Sequence, residues 1–171
     1  MRIFIALQPA PAFRDALASV QDRLRAAGVT GQYLAPSNLH LTLAFIGTWP
    51  EDITGLLPSV QTPFPITLSH LGIFPAAKVL WAGVKPSDAL NSLTSQVRKA
   101  LAEADIPFDR RDFNPHISLV RKPVMPENLI LSEFYVPRSA MLVKDVCLYR
   151  SDHFENGMEY TVIGRSKQGG E

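Results

Sequence analysis

Two short stretches of the chain place a histidine and a hydroxyl side chain two positions apart in apolar surroundings. "NLHLTLAFIG" (38–47) contains His40 and Thr42, and "NPHISLVRKP" (114–123) contains His116 and Ser118. Only four histidines occur in the sequence, so it is notable that two share one His-x-(Thr/Ser)-Leu frame. Side chains at i and i+2 of a strand point to the same face. Each stretch therefore predicts a strand with an imidazole and a hydroxyl on one face and apolar residues on the other.

Two imidazoles and two hydroxyls around one cleft would suit the hydrolysis of a phosphodiester. The reaction needs a base to take a proton from the attacking water and an acid to protonate the leaving oxygen. Histidine fits both roles because its unperturbed pKa of ~6.5 leaves both protonation states available near neutrality. The hydroxyls of Thr42 and Ser118 would hydrogen-bond the non-bridging oxygens. No carboxylate cluster accompanies either stretch, and a histidine-only metal site would lack a third ligand, so we expect no metal and no cofactor.

The elements that lead to each histidine occur twice in the same order: strand, proline, helix, loop and histidine strand. Pro9 precedes His40 by 31 residues, and Pro86 precedes His116 by 30. The predicted elements are a strand at 2–8, a helix at 13–27 ended by Gly28 and a strand at 39–47, then a strand at 78–84, a helix at 90–104 capped by Ser87 and a strand at 116–120. This repeat predicts two similar lobes related by a pseudo-twofold axis, with their polar faces meeting across a central cleft.

The remaining segments predict mostly strands. These are strands at 64–74, at 140–151 and, after the Asn156-Gly157 turn, at 158–164, with a short helix within 50–60, an irregular loop at 121–133 and a frayed tail at 165–171. No proline- or glycine-rich linker divides the chain. The expected fold class is α+β, with two antiparallel-sheet-plus-helix lobes forming one domain over residues 1–171.

Composition limits the partners and the compartment. The net charge is +1, so an anionic ligand must be bound by a local pocket rather than by a general basic field. The single cysteine, Cys147, excludes an internal disulfide and favours a reducing compartment. No stretch approaches the ~18 consecutive apolar residues of a membrane span, and the first residues lack a signal-peptide pattern. We expect a cytoplasmic protein, most simply a monomer, with no membrane partner.

The quoted motifs also resemble a known family. The pair "HLTL" and "HISL", the opening "RIFIAL", the central "VLWAGV" and the context "FNPHISLVR" are similar to the two-histidine (2H) phosphoesterase superfamily. Within it they most resemble the bacterial and archaeal RNA 2′,3′-cyclic phosphodiesterases, also called 2′-5′ RNA ligases. The similarity extends over nearly the whole chain. It implies a bilobal α+β fold around a central cleft and the metal-independent opening of a terminal 2′,3′-cyclic phosphate on RNA to a 2′-phosphate.

The resemblance also implies roles for the motif residues. His40 would be the proton donor to the departing 3′ oxygen, and His116 would be the proton acceptor that activates water. Thr42 and Ser118 would hold the phosphate; the family often has threonine at both positions, and Ser118 keeps the hydroxyl. The ligase activity would be the reverse reaction, in which a 5′-hydroxyl replaces water.

Three further side chains are candidates for substrate binding. The family's arginine after the second motif corresponds to Arg121, but strict alternation from His116 puts Arg121 on the opposite face, so its use requires a bulge or the strand end. Phe45 has the parity of a core residue, and core packing is favoured over base stacking for it, as it is for Trp81. For Tyr149 the sequence leaves the two possibilities open.

The remaining histidines, His70 and His153, lack a hydroxyl at i+2 and are interpreted as structural or surface residues. The expected partners are RNA ends or nucleotide 2′,3′-cyclic phosphates. Other substrates stay open, namely a 2′-5′ oligonucleotide, a small cyclic nucleotide or an ADP-ribose cyclic phosphate. A module that binds nucleotides or RNA ends without turnover also stays open, although binding alone needs neither an acid nor a base.

Overall fold

The structure, a computed structural model, describes residues 1–168. It contains two α-helices and nine β-strands in those residues. In chain order these are β1 (Arg2–Leu7), α1 (Pro11–Ala26), β2 (Thr30–Tyr33), β3 (Leu41–Thr48), β4 (Phe64–Phe74), β5 (Val79–Val84), α2 (Asp88–Glu103), β6 (His116–Val124), β7 (Ala140–Val143), β8 (Cys147–Phe154) and β9 (Gly157–Arg165). The predicted α+β class is confirmed.

The strands pair in the order β7-β4-β5-β6-β3-β1-β8-β9, with β2 also on β6, and every pairing is antiparallel. β1 pairs with β3, and β5 pairs with β6, so each strand–helix–strand unit brings its own two strands side by side. The two histidine strands meet in the middle of this order, where Leu41 lies opposite Ile117. This order is compatible with the predicted pair of lobes, whose pseudo-twofold relation stays a prediction.

The helices bury the faces that the apolar spacing predicts. The buried positions of α1 include Phe13, Leu17, Val20 and Leu24, and those of α2 include Leu90, Leu93, Val97 and Leu101. Ser87 is the N-cap of α2, and its Oγ accepts a hydrogen bond from the N–H of Leu90 at 3.2 Å. Gly28 follows α1 with φ of 95°, a left-handed conformation that glycine adopts without steric cost. Each helix thereby has the cap that the sequence indicates.

Several predicted elements differ from the structure. The strand predicted at 140–151 is two strands, β7 and β8, separated by residues 144–146. The short helix predicted within 50–60 is wrong: the segment has only a 3₁₀ turn, Thr54–Leu56. Strand β2 is not predicted, because three of its four residues are exposed and show no alternation. The loop predicted at 121–133 begins only after Val124, because β6 pairs with β2 and continues as a strand to that residue.

The tail is more ordered than predicted at its start. Arg165 ends β9, and Ser166 is buried, with its Oγ accepting a hydrogen bond from the N–H of Val146 at 2.9 Å. This bond ties the end of β9 to the start of β8. The prediction of a frayed tail is therefore wrong for these two residues, and its last part, residues 169–171, lies outside the described residues.

Candidate active site

The two histidines are oriented by the same local device. Nδ1 of His40 lies 2.7 Å from the carbonyl oxygen of Asn38, and Nδ1 of His116 lies 2.6 Å from that of Asn114. A carbonyl oxygen only accepts, so each Nδ1 carries a proton and donates it. Nε2 of each ring is then the nitrogen without a proton in the neutral imidazole, and it can accept one.

A β-bulge follows each His-x-(Thr/Ser) tripeptide at the same offset. Along β3 and β1, Ala6 lies opposite Thr42 and Ile5 opposite Ala44, so β3 has one extra residue, Leu43. A bulge places two residues of one strand against one residue of its neighbour. Leu43 and Ala44 are accordingly both buried, and alternation restarts after them. As a result Phe45 lies on the same face as Thr42 rather than in the core.

The second bulge has the same effect in β6. Trp81 lies opposite Ser118 and Leu80 opposite Val120, which leaves Leu119 as the extra residue. Leu119 and Val120 are both fully buried. Arg121 therefore returns to the face of Ser118, through the bulge that its participation requires. Positions 45 and 121 each follow their histidine by five residues and emerge from equivalent bulges.

The polar faces of β3 and β6 border a cavity of about 320 Å³. The predicted residues on its wall are His40, Thr42, Phe45, Ser118 and Arg121, and the residues that sequence reasoning missed are Arg2, Phe4, Ser151, Met158 and Tyr160. The missed residues come from β1 and the β8–β9 hairpin. Met158 and Tyr160 share a strand parity, but nothing in the sequence places that hairpin beside β1.

His116 is not among the residues that line this cavity, although Ser118, two positions further along the same strand, is. Its ring packs edge-on against Phe74 at 4.9 Å and against Trp81 at 6.0 Å between ring centroids. Its charge contributes to lowering the pKa of His40, so the two imidazoles interact electrostatically.

His40 is enclosed by aromatic rings. The ring centroids of Phe4, Tyr160 and Tyr149 lie 4.6, 5.0 and 5.6 Å from that of His40. Burial disfavours the charged imidazolium and lowers the pKa of His40 to about 4; the Asn38 carbonyl opposes this, while the positive charge of Arg121 adds to it. His40 is thus neutral at pH 7 in the free protein.

The pKa of His116 is also lowered by burial, against the opposing hydrogen bond to the carbonyl of Asn114. Both histidines are therefore moved toward the neutral form. An anion bound between them would act in the other direction, because a negative charge favours the imidazolium.

Two guanidinium groups give the cavity positive charge. Nη2 of Arg121 donates a hydrogen bond to the hydroxyl of Tyr160, which connects β6 to β9 across the cavity. Cζ of Arg2 lies 5.4 Å from the ring centroid of Phe45. Arginine is suited to phosphate oxygens because its planar N–H groups bind two of them at once. The cavity thus combines an imidazole, four hydroxyls, two guanidiniums and the exposed aromatic ring of Phe45.

The tentative aromatic candidates have different positions. Phe45 is 40% exposed on the cavity wall, contrary to the core packing that its parity favours. Tyr149 is 2% exposed, stacks with Phe4 at 5.0 Å between ring centroids and is not one of the residues of the cavity wall. Trp81 is buried, as favoured. His70 is exposed, lies against Trp81 and is not one of the residues of the cavity wall.

Residues 1–168 contain no group of three or more His, Cys, Asp or Glu side chains arranged to hold a metal ion. In the same part of the chain, neither helix is long and apolar enough to cross a membrane.

Comparison with known proteins places the chain in a family. The profile of the 2′-5′ RNA ligase superfamily matches residues 9–154. An RNA 2′,3′-cyclic phosphodiesterase of Methanothermobacter thermautotrophicus is 27% identical over 176 residues, which covers 94% of this chain and 95% of the relative. One of Geobacillus stearothermophilus is 32% identical over 139 residues, 72% of this chain and 43% of the relative, so the chain spans less than half of that protein.

The fold comparison agrees. The crystal structure of Escherichia coli LigT complexed with 3′-AMP superimposes with a TM-score of 0.81 at 26% identity, covering 99% of this chain and 98% of that one. The chain belongs to the 2′-5′ RNA ligase superfamily. The family resemblance drawn from the two motifs is confirmed.

Proposed function

We propose that the chain is a metal-independent RNA 2′,3′-cyclic phosphodiesterase that opens a terminal cyclic phosphate to a 2′-phosphate. The observation that carries the proposal is the pair of His-x-(Thr/Ser) strands at the middle of the sheet, each with Nδ1 bound to a carbonyl and Nε2 left for proton transfer. Relatives named RNA 2′,3′-cyclic phosphodiesterase and the LigT complex with 3′-AMP support the substrate class.

In the proposed reaction each histidine moves one proton. Nε2 of His116 takes a proton from water as the water oxygen bonds to phosphorus. The bond from phosphorus to the 3′ oxygen breaks, and that oxygen takes a proton from Nε2 of His40. The products are a 2′-phosphate and a free 3′-hydroxyl. With a 5′-hydroxyl in place of water as the nucleophile, the same proton transfers in the same direction would break the bond from phosphorus to the 3′ oxygen and leave a 2′-5′ linkage.

The other wall residues would hold the ligand. Thr42 and Ser118 donate their hydroxyls to the non-bridging oxygens, and Arg121 balances the phosphate charge. Phe45, exposed on the wall, offers a ring on which a base stacks. Tyr149, which is buried and stacked with Phe4, has no direct role in this proposal. We further propose one domain acting as a monomer in the cytoplasm, to which a single buried Cys147 is suited.

The deciding experiment is multiple-turnover hydrolysis of an RNA with a 2′,3′-cyclic phosphate end, in EDTA, with the product phosphate located on the 2′ or the 3′ oxygen. His40→Ala and His116→Ala should each lower turnover by about 10²- to 10⁴-fold, the usual contribution of one proton-transfer role. His70→Ala is the matched control, because His70 is an exposed histidine that is not among the residues of the cavity wall.

The division of roles is tested with a substrate whose leaving group is much more acidic than a ribose hydroxyl. Such a leaving group needs little protonation, so His40→Ala should recover most of its rate and His116→Ala should not. The opposite rescue would reverse the roles. Activity lost in EDTA and restored by Mn²⁺ would indicate a metallophosphodiesterase, and stoichiometric binding of the RNA end without turnover would indicate a binding module.

A further inference from the structure

The side chain of Asn38 joins the His40 motif to the β8–β9 hairpin. Its Nδ2 donates a hydrogen bond to the carbonyl oxygen of Met158 at 2.8 Å, and its Oδ1 accepts one from the N–H of Tyr160 at 3.2 Å. These are the backbone groups that β9, the last strand in the sheet order, would offer to a further strand. One amide side chain thus takes the place of a strand along this part of the edge.

The backbone of the same residue orients the catalytic ring. The carbonyl of Asn38 accepts the Nδ1 proton of His40 at 2.7 Å. Asn38 ends the 3₁₀ turn Pro36–Asn38, two residues before His40. Asn38 therefore contacts His40 through its backbone and β9 through its side chain.

The hairpin held in this way covers His40. The ring of Tyr160 stands edge-on to His40 at 5.0 Å between centroids, and its hydroxyl accepts the hydrogen bond from Arg121. Met158 and Tyr160, the two residues whose backbone Asn38 binds, also form part of the cavity wall. If the hairpin moved outward, it would take one aromatic wall of His40 with it.

The second motif has only half of this arrangement. Asn114 precedes His116 by two residues and also accepts the Nδ1 proton through its carbonyl. Its side chain makes no corresponding hydrogen bond within residues 1–168, whereas the amide of Asn38 makes two. The asparagine side chains are therefore a point at which the two motifs differ.

We propose that Asn38 is a positioning residue for the proposed reaction, whose side chain holds the β8–β9 hairpin closed over His40 and keeps that imidazole out of water. Only the expected effect of Asn38 on catalysis rests on the proposed function. The placement of the hairpin by Asn38 is measurable without a substrate.

The charged and titratable groups around His40 indicate the direction of the effect. Arg121 and His116 face it from β6, Tyr149 from β8 and Tyr160 from β9. Arg121 and His116 both lower its pKa, but burial is the largest cause of the value of about 4. Opening the hairpin hydrates the ring, so the pKa of His40 should rise toward the ordinary ~6.5.

The test replaces Asn38 by alanine in the full chain. Histidine ring nitrogens are followed by NMR during a pH titration, and the hydrogen exchange of the Tyr160 amide is measured alongside. We expect the pKa of His40 to rise by about 1 or more and the Tyr160 amide to exchange faster, since it loses its acceptor. Asn91→Ala is the control, because Asn91 is exposed on α2, and it should leave both readouts unchanged.

The activity readout is the pH profile of kcat/KM, whose acidic limb follows the lower histidine pKa of the free enzyme. Asn38→Ala should move that limb upward in pH, which a general loss of stability would not do. If Asn38→Ala does not fold, Asn38→Ser repeats the test, because one short hydroxyl cannot bridge Met158 and Tyr160 together.

Two results would overturn the role of Asn38: a His40 pKa equal to that of the unsubstituted protein, or a Tyr160 amide equally protected in the variant. Either result, with the unsubstituted chain still hydrolysing the cyclic phosphate, removes this inference and leaves the proposed function in place. If the unsubstituted chain shows no turnover but Asn38→Ala still raises the pKa of His40, the proposed function is wrong and the placement of the hairpin by Asn38 stands.

Discussion

A phosphate bound in the cavity should convert His40 from a neutral ring into a proton donor. In the free protein its pKa is about 4, so about one molecule in a thousand carries the imidazolium at pH 7. A general acid with that pKa would almost always lack the proton that it must donate. The proposed role of His40 therefore requires that the ligand itself supplies the missing stabilisation of the charged form.

The size of that stabilisation follows from Coulomb's law. A single negative charge ~4 Å from Nε2 contributes about 4 kcal/mol at an effective dielectric constant of ~20. At 1.36 kcal/mol for each pKa unit, this raises the pKa of His40 by about 3, from about 4 to about 7. About half of the complexes would then hold the proton at neutral pH, which suits an acid that donates and is reprotonated in each cycle.

The assay uses a 3′,5′-cyclic nucleotide as the probe, because its phosphodiester keeps one negative charge between pH 4 and pH 8. The ring resonances of His40 are titrated by NMR with and without saturating probe, and calorimetry in two buffers of different ionisation enthalpy counts the protons taken up. At pH 5.5 binding should take up about one proton at His40. A pKa raised on binding couples proton and ligand, so affinity should increase as pH falls from about 7 toward about 4.

An affinity that stays constant between pH 5 and pH 7, together with an unchanged His40 resonance, would refute this reasoning. The ligand charge would then lie too far from Nε2 to matter, or the ring would stay neutral in the complex. A neutral His40 can only accept a proton, and the acid role would then pass to His116.

Two further perturbations test other parts of the structure. Tyr160→Phe keeps the ring beside His40 but removes the hydroxyl that accepts a hydrogen bond from Arg121. The affinity for the cyclic nucleotide probe should fall about 10-fold, which is about 1.4 kcal/mol. An unchanged affinity would show that this hydrogen bond does not position the guanidinium. Gly72→Ala places a Cβ 2.3 Å from the Trp81 ring and should lower the free energy of unfolding in urea by about 1–3 kcal/mol. Gly55→Ala, with open space at that position, should cause no loss, and equal losses in both would contradict the packing argument.

The sequence predicts the elements that repeat and the residues whose chemistry is local. The helices, the strand before each of them and the two histidine strands follow from apolar periodicity, proline and glycine positions. His40, Thr42 and Ser118 lie on the wall because a strand fixes the parity of positions i and i+2. These predictions depend only on neighbours in the chain, which is why they succeed.

The predictions that fail depend on strand pairing. The core packing favoured for Phe45 is wrong because of a bulge, and the bulge that Arg121 requires is present although the sequence does not locate it. A bulge arises from the register with a neighbouring strand, which the residues themselves do not encode visibly. For Tyr149 the sequence leaves two possibilities open, and its burial against Phe4 depends on the pairing of β8 with β1. Strand β2 exists because β6 offers it an edge, not because its own pattern indicates a strand.

The matched bulges also give the cavity a direction. Two nearly equal strands supply a histidine and a hydroxyl each, and such a site by itself would receive a ligand equally well either way round. Positions 45 and 121 correspond in the two strands, yet one is an aromatic ring and the other a guanidinium, and both lie on the wall. A ligand with one flat apolar end would find a ring for that end at position 45 and none at position 121. The fifth residue after each histidine therefore makes the two sides of the cavity chemically different, although the two motifs share one sequence frame.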